Sequence, residues 1–553
     1  MKLFKNIKKW LEDQEHLFYL FLFILIVPNI VLCFTEPLSF IAKVCNVLLP
    51  FGCYYLLMTL SRNCGKMLWI LFLFLFFGAF QIVLLYLFGQ SIIAVDMFLN
   101  LVTTNSSEAM ELYIPALVLA TISIVRKRML SAAFIRRERK RAFVVFGVSL
   151  LSLAGAYVQD PGYELKSDLY PLNVCYNVGL AFQRTALTQN YHHTSKDFTF
   201  HAQATHPEEK KEVYVMVVGE TSRALNWQLY GYERETNPLL VQQSGLVAFP
   251  KVLTESNTTH KSVPMLLSDV TACSYDSIYH RKGIITAFKE AGFRTAFFSN
   301  QRFNHSFIDF FGREADTFDF IKEDSLDFSY NPSDNELLKL VEQELAKGAK
   351  KQFIVLHTYG SHFNYRERYP SGDAFFTPDY PVEAERKFRD NLVNAYDNSV
   401  RYTDSLLARL IGMLENQGTD AALIYTSDHG EDIFDDPRHL FLHASPVPSY
   451  YQLHIPFLIW MSDSYREAYP EHWEAVTANK EKNISSSSSF FPTMLDLGGI
   501  KTPYRDDSQS VATPLYKMRP RVYLNDHNEP RPLDDLGMKK QDFHMLEKQE
   551  INT

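Results

Sequence analysis

Cysteine is scarce in these 553 residues, with six in all. Cys33, Cys45, Cys53 and Cys64 lie in or beside long apolar runs, so only Cys175 and Cys273 remain for the polar part of the chain. A fold stapled by several disulfides is thereby excluded, since one bridge is the most that pair allows. Lys and Arg are missing from 35–37 and from 90–109. No small-residue cleavage site follows the first apolar run, which argues against a removed signal peptide. No internal repeat is evident, and with it goes any solenoid reading.

What is present is unevenly spread. A net charge of −8 and a mildly polar mean hydropathy suggest a soluble protein, yet the first 160 residues are crowded with apolar stretches. A helix needs about 20 mostly apolar residues to cross the hydrocarbon layer. Five segments approach that length: 17–34, 38–60, 67–89, 110–125 and 142–158, the last two being short. Cytoplasmic loops hold the excess of Lys and Arg. Lys2, Lys5, Lys8 and Lys9 precede the first segment, Arg62 and Lys66 follow the second, and eight Lys and Arg residues lie between Arg126 and Arg141. These three stretches belong on one side and the two loops without basic residues on the other. Five crossings place everything after about Val158 outside the cytoplasm. The basic run from Arg126 to Arg141 adjoins the membrane, which assigns it to lipid head groups and topology rather than to nucleic acid.

The expected organisation is a transmembrane domain over 1–158, a connector over 159–211, a catalytic domain over 212–530 and a polar tail over 531–553. In the exported part, short apolar runs at 213–218, 295–298, 353–356, 421–425 and 455–460 read as buried strands, and helical patterns such as 335–346 and 391–415 intervene. This alternation predicts a central, mostly parallel sheet covered on both faces, with ligands beyond the carboxyl ends of its strands. Directly after three of the strands come Gly219-Glu220-Thr221, then His357-Thr358-Tyr359-Gly360-Ser361-His362, then Ser427-Asp428-His429-Gly430-Glu431.

A divalent cation at a phosphoryl-transfer site needs oxygen and nitrogen ligands and a nucleophile held against it. Glu220, Asp428 and His429 supply that mixture. Singly, each also fits a capping carboxylate or a surface histidine; three at strand ends point to a metal. Thr258 and Thr259, in Asn257-Thr258-Thr259-His260-Lys261-Ser262-Val263-Pro264, are both candidates for a hydroxyl at the first turn of a helix, where backbone N–H groups favour a bound phosphate. A Thr-rich helix cap is the plain alternative. Deprotonation of such a hydroxyl is favoured by a neighbouring cation.

The block GETSRALNWQLYGYERETNPLL from Gly219 resembles the signature of lipid-dependent phosphoethanolamine transferases, inner-membrane enzymes of the alkaline phosphatase and sulfatase superfamily. NTTHKSVPM from Asn257, SNQ from Ser299, HTYGSHFNYRERYP from His357, YDNSVRYTD from Tyr396, SDHGE from Ser427 and LHASP from Leu442 agree in order. The resemblance runs over nearly the whole chain. It implies an α-helical membrane domain of five transmembrane helices plus an α/β alkaline phosphatase/sulfatase-like domain. It further implies a zinc site of Glu220, Thr259, Asp428 and His429, with a second zinc left open, and Thr259 as nucleophile in preference to Thr258. His362 and His443 would handle substrate or a second zinc, with His357 beside them at the substrate. The outward loop 96–109 is similar to the family's lipid-head-group segment, which implicates Asn100, Thr104 and Glu108; their four-residue spacing fits one helical face.

The activity so implied moves phosphoethanolamine from phosphatidylethanolamine, through a phospho-threonine intermediate, to lipid A, the lipopolysaccharide core or a glycan at the periplasmic face of a bacterial inner membrane. There are departures. Glu255 and Met265 stand where relatives place cysteines, and Arg302 and Asn304 differ from the family after SNQ, so acceptor preference does not carry over. A sulfatase activity needs Cys or Ser in C/S-x-P-x-R, whereas Ser262-Val263-Pro264-Met265-Leu266 ends in Leu and Cys273 is followed by Ser274 and Tyr275. A phosphodiesterase or glycerophosphate transferase using the same threonine and metal is the alternative that the ligand set leaves open. A non-catalytic envelope scaffold is a third reading, to be told apart by bound zinc.

Overall fold

A computed structural model describes residues 10–36, 38–88, 114–160, 163–303, 305–324 and 330–552. It divides into two compact units, Met1–Arg184 and Thr185–Thr553, a division that falls within the expected connector.

The first unit is helical: α1 Gln14–Thr35, α2 Phe40–Met58, α3 Cys64–Ile70, α4 Phe72–Phe88, α5 Ile114–Val125 and α6 Ala132–Gln159. Polar caps start the helices where apolar sequence alone would not. The side chains of Asp13, Ser39, Asn63 and Ser131 accept from backbone N–H groups at the heads of α1, α2, α3 and α6. Inside, the buried Asn29 donates to the carbonyl oxygens of Asn46 at 2.8 Å and Tyr170 at 2.7 Å, so its amide hydrogens are satisfied away from water. Among the described residues, α1, α2 and α6 are long and apolar enough to cross a membrane. The pair α3 and α4, bent by 67°, makes a fourth if taken as one span. All five expected runs are largely helical where described, but α5 has 12 residues. The last run begins ten positions earlier than expected, at Ala132, because the basic stretch is itself helical.

The second unit is built on a seven-stranded sheet. In chain order its strands are β1 Glu212–Gly219, β2 Leu246–Ala248, β3 Arg294–Ser299, β4 Thr317–Phe320, β5 Lys351–His357, β6 Asp420–Ser427 and β7 Phe457–Met461. In space they run β2-β7-β6-β1-β5-β3-β4. The pairs β6-β1, β1-β5, β5-β3 and β3-β4 are parallel. β7 is antiparallel to both its neighbours and is the one reversed strand of the seven. The five apolar runs expected as strands are β1, β3, β5, β6 and β7.

β1, β5 and β6 are buried along their whole length, as central parallel strands covered by layers on both faces must be. Alternate residues feed two cores. Tyr214, Met216 and Val218 pack with Phe353 and Val355 on one face; Val213, Val215 and Val217 pack with Ile354 and Leu356 on the other. Each large apolar side chain so buried contributes about 1.5–3 kcal/mol. The register sets Gly219 beside Ser427 and Val218 beside His357, so the residues after β1, β5 and β6 emerge together at one edge. The segment expected as a polar tail ends instead in the helix Lys540–Lys548. It is held by a bidentate ion pair between Arg438 and the buried Asp542, with Leu546 and Ile551 in a small core.

Candidate metal centre and active site

Two strand ends and one helix start converge. Glu220 follows β1 and Asp428 and His429 follow β6; Thr259 opens the helix α7 Thr259–Leu266, with Thr258 as its N-cap. The Thr259 Oγ1 lies 3.2 and 3.4 Å from the Glu220 carboxylate oxygens and 3.1 Å from His429 Nε2. His429 Nε2 stands 3.2 Å from Asp428 Oδ2 and 3.6 Å from Glu220 Oε1. Of the two threonines, Thr259 is thus the one whose hydroxyl meets the three donors; Thr258 bonds with Ser256 instead.

The surroundings fix each donor. The imidazole of His429 donates from Nδ1 to the Gly430 carbonyl at 2.9 Å, which leaves the Nε2 lone pair pointing at the centre. Asp428 Oδ1 accepts from the N–H groups of His429 at 2.7 Å and Thr221 at 3.0 Å. Glu220 Oε1 accepts from Thr221 Oγ1 at 2.7 Å and Oε2 from Gln301 Nε2 at 2.8 Å. Thr221 takes a left-handed φ of 58° to aim both its donors. The loop after β5 lies against Glu220 through Gly360, at φ +50°; a Cβ there would stand 2.5 Å from the Glu220 carbonyl oxygen, so only glycine fits. Beneath, the helix α8 Arg389–Glu415 sends the Tyr396 hydroxyl to the Thr221 carbonyl at 2.8 Å.

The electrostatics call for a cation. Burial and the nearby Glu220 charge push Asp428 well above the usual carboxylate range. Glu220 is held below its ordinary value: burial opposes ionisation, and His429 and His362 outweigh it. Two carboxylates this close do not both ionise without a positive charge between them. Two carboxylates, an imidazole nitrogen and a hydroxyl are donors suited to zinc, and Glu220, Asp428 and His429 form one metal-competent group. A second, Glu220 with His362 and His443, shares the glutamate.

Burial, the largest cause for each, lowers the pKa of both His362 and His443. The His443 ring lies 4.2 Å from that of His429, tilted by 37°, and 5.9 Å from that of His362, ring centre to ring centre. His362 donates from Nδ1 to Phe363 O at 2.6 Å, and the Nδ1 of His443 lies 3.4 Å from Glu431. His357, 1% exposed and lowered by burial to about 4, stands behind Gln301, 3.3 Å from its amide nitrogen. Asn100, Thr104, Glu108 and Asn304 lie outside the described residues.

Sequence reasoning assigned no role to Gln301, although it stands in the SNQ block. It also passed over Tyr359, whose ring stacks on His362 at 5.1 Å and 14°. Lys322 Nζ lies 3.1 Å from the centre of that ring and the Arg368 guanidinium 4.0 Å from it. A desolvated cation on a ring gains about 2 kcal/mol, less than the several kcal/mol lost on burying an unpaired ammonium.

A mostly parallel sheet with acidic and histidine donors at its carboxyl edge and a hydroxyl against them defines the alkaline-phosphatase class of phosphoryl and sulfuryl transfer sites. The family model described as Sulfatase matches residues 212–500, and the chain belongs to that family. Curated relatives include phosphoethanolamine transferase EptA of Escherichia coli K12, 29% identical over 312 residues, 55% of this chain and 56% of EptA. Phosphoethanolamine transferase EptC of the same strain is 27% identical over 331 residues, 58% of this chain and 56% of EptC. The chain therefore spans a little over half the length of these relatives. Among solved structures, the C-terminal periplasmic domain of Escherichia coli EptC in complex with Zn matches with TM-score 0.56 and 25% identity, over 62% of this chain and 97% of that one. The integral membrane lipooligosaccharide phosphoethanolamine transferase A of Neisseria meningitidis has the same fold across both units, with TM-score 0.67 and 24% identity over 90% of this chain and 97% of that one. The resemblance read from the motifs is borne out.

Proposed function

We propose that this protein is a zinc-dependent phosphoethanolamine transferase of a bacterial inner membrane, its second unit in the periplasm. The donor is phosphatidylethanolamine and the acceptor lipid A, the lipopolysaccharide core or a glycan. The observation that carries the reading is the Thr259 hydroxyl, held 3.1–3.4 Å from Glu220 and His429 at the first turn of α7. The names of the relatives and the zinc complex of EptC support it.

Glu220, Asp428, His429 and Thr259 would hold the zinc ion, which supplies positive charge to lower the hydroxyl's pKa and offset charge on the phosphoryl oxygens. Thr259 Oγ1 attacks the phosphorus: a P–O bond forms to the threonine, the bond to the glycerol oxygen breaks, and diacylglycerol leaves with a proton. The acceptor hydroxyl then attacks the same phosphorus and releases the threonine. The imidazoles of His362 and His443 would carry the protons between the two steps. By the motif resemblance, Asn100, Thr104 and Glu108 would bind the ethanolamine group, with Glu108 the candidate partner of its ammonium.

The test is release of diacylglycerol by the full chain from vesicles of phosphatidylethanolamine against vesicles of phosphatidylglycerol. Release from the former alone is expected, with Thr259→Ala lowering it by at least a thousandfold. Release from phosphatidylglycerol alone would replace this reading with a glycerophosphate transferase.

A further inference from the structure

We infer that Lys322, with Arg368 across the Tyr359 ring, forms a second oxyanion subsite beside His362 that holds a phosphate group of a substrate during transfer. Lys322 is 6% exposed. Among the described residues its ammonium has no hydrogen-bond acceptor and no ion-pair partner, and it lies 3.1 Å from the centre of the Tyr359 ring.

The carboxylates nearest to it are committed elsewhere. Asp334 accepts from the N–H groups of Tyr359 and Gly360 at 2.8 and 2.9 Å, and Glu367 pairs with Arg368 at 3.2 Å. Two cations thus lean on one neutral ring, and the Lys322 ammonium has no acceptor of its own among the described residues, a place that a bound oxyanion would fill. Burial first, and then the Arg368 charge, pull the Lys322 ammonium down to about 7, as expected of a cation awaiting a partner. Placement gives the subsite its purpose. Tyr359 stacks on His362, and both Lys322 and Arg368 act electrostatically on that histidine, so an anion held there lies next to the reacting centre. Donor and acceptor both offer phosphate chemistry, and the subsite would take a phosphate monoester or diester from either.

The subsite rests on the proposed transferase reading for its purpose, but not for its existence. The full chain, treated with chelator, is titrated with inorganic phosphate. Lys322→Gln is expected to weaken binding at least tenfold and Lys322→Arg to keep it within about threefold. Unchanged binding in Lys322→Gln overturns the subsite whether or not the protein proves to be a transferase. In the zinc-loaded protein, a KM raised at least fivefold with kcat kept in diacylglycerol release identifies the donor phosphate. The same change seen only in transfer to a phosphorylated acceptor identifies the acceptor's. No KM change in either step overturns the proposal. Lys322→Met guards against misfolding: with the unpaired charge gone its melting temperature is expected at or above wild type, and a fall in KM-linked affinity without a fall in melting temperature supports the subsite.

Discussion

At the scale of single residues, the site depends as much on what orients the donors as on the donors. Gln301 shows this, since its amide nitrogen bridges Glu220 Oε2 at 2.8 Å and the supporting His357 at 3.3 Å. Outer partners of this kind are typically worth about 10–100-fold in metal affinity or activity. Gln301→Ala is therefore expected to lower zinc affinity by that factor, measured by competition with a calibrated chelator, while unfolding remains cooperative. An affinity equal to wild type would remove Gln301 from the site. Glu220, Asp428 and His429 were legible because each directly follows an apolar run that reads as a strand. Thr259 needed the motif to separate it from Thr258, and in the fold the two differ by their neighbours. Gln301, Tyr359 and Lys322 escaped for a physical reason: their roles rest on contacts across loops, and nothing in local periodicity marks them.

Among elements, the central strands were legible and the edge strands were not. β1, β5 and β6 are wholly apolar inside and buried, so their runs stand out. β2 has three residues and β4 has four, the latter half exposed, and such strands form because a neighbour offers its edge. The reversed β7 also has an apolar run, but direction is set by connection and cannot be read from composition. A buried carboxyl gives a test at this scale. Glu314 accepts from the Gly283 N–H and the Thr286 hydroxyl at the head of the helix Ile284–Glu290, and burial, only partly opposed by those bonds, raises it to about 8. Its folded pKa lies above the ordinary value of about 4.5, so the native state holds a proton that the unfolded chain has released. Stability then falls as pH climbs from about 4.5 to 8 and levels off above. Glu314→Gln should match wild type near pH 5 and exceed it near pH 8 by an amount on the order of a few kcal/mol. Urea titrations at the two pH values check this, and an equal loss at both would refute it.

Across the whole molecule, the two units are expected to answer differently to metal. All the candidate ligands described lie in the second unit. A ligand that binds only the folded state adds about 2.7 kcal/mol at a free concentration of 100 Kd. Chelation is expected to lower the unfolding midpoint of the second unit and to leave the helical unit unmoved, as separate transitions in calorimetry of the full chain. A common shift of both would contradict the assignment. The membrane unit was legible as apolar runs, whereas its crossings were harder to count: a break after Ile70 bends one run by 67°, and bending leaves no mark on hydropathy.

The spatial order β6-β1-β5 also fixes a sequence of events during biosynthesis. Glu220 leaves the ribosome some two hundred residues before His429, and nothing near it in the chain can stand in for the missing donors. Closing so long a loop is slow and unrewarded until the strands pair. An ion held by these donors would therefore not template the domain in the way it templates a zinc finger; it would be captured late, once the strands that carry its ligands have paired.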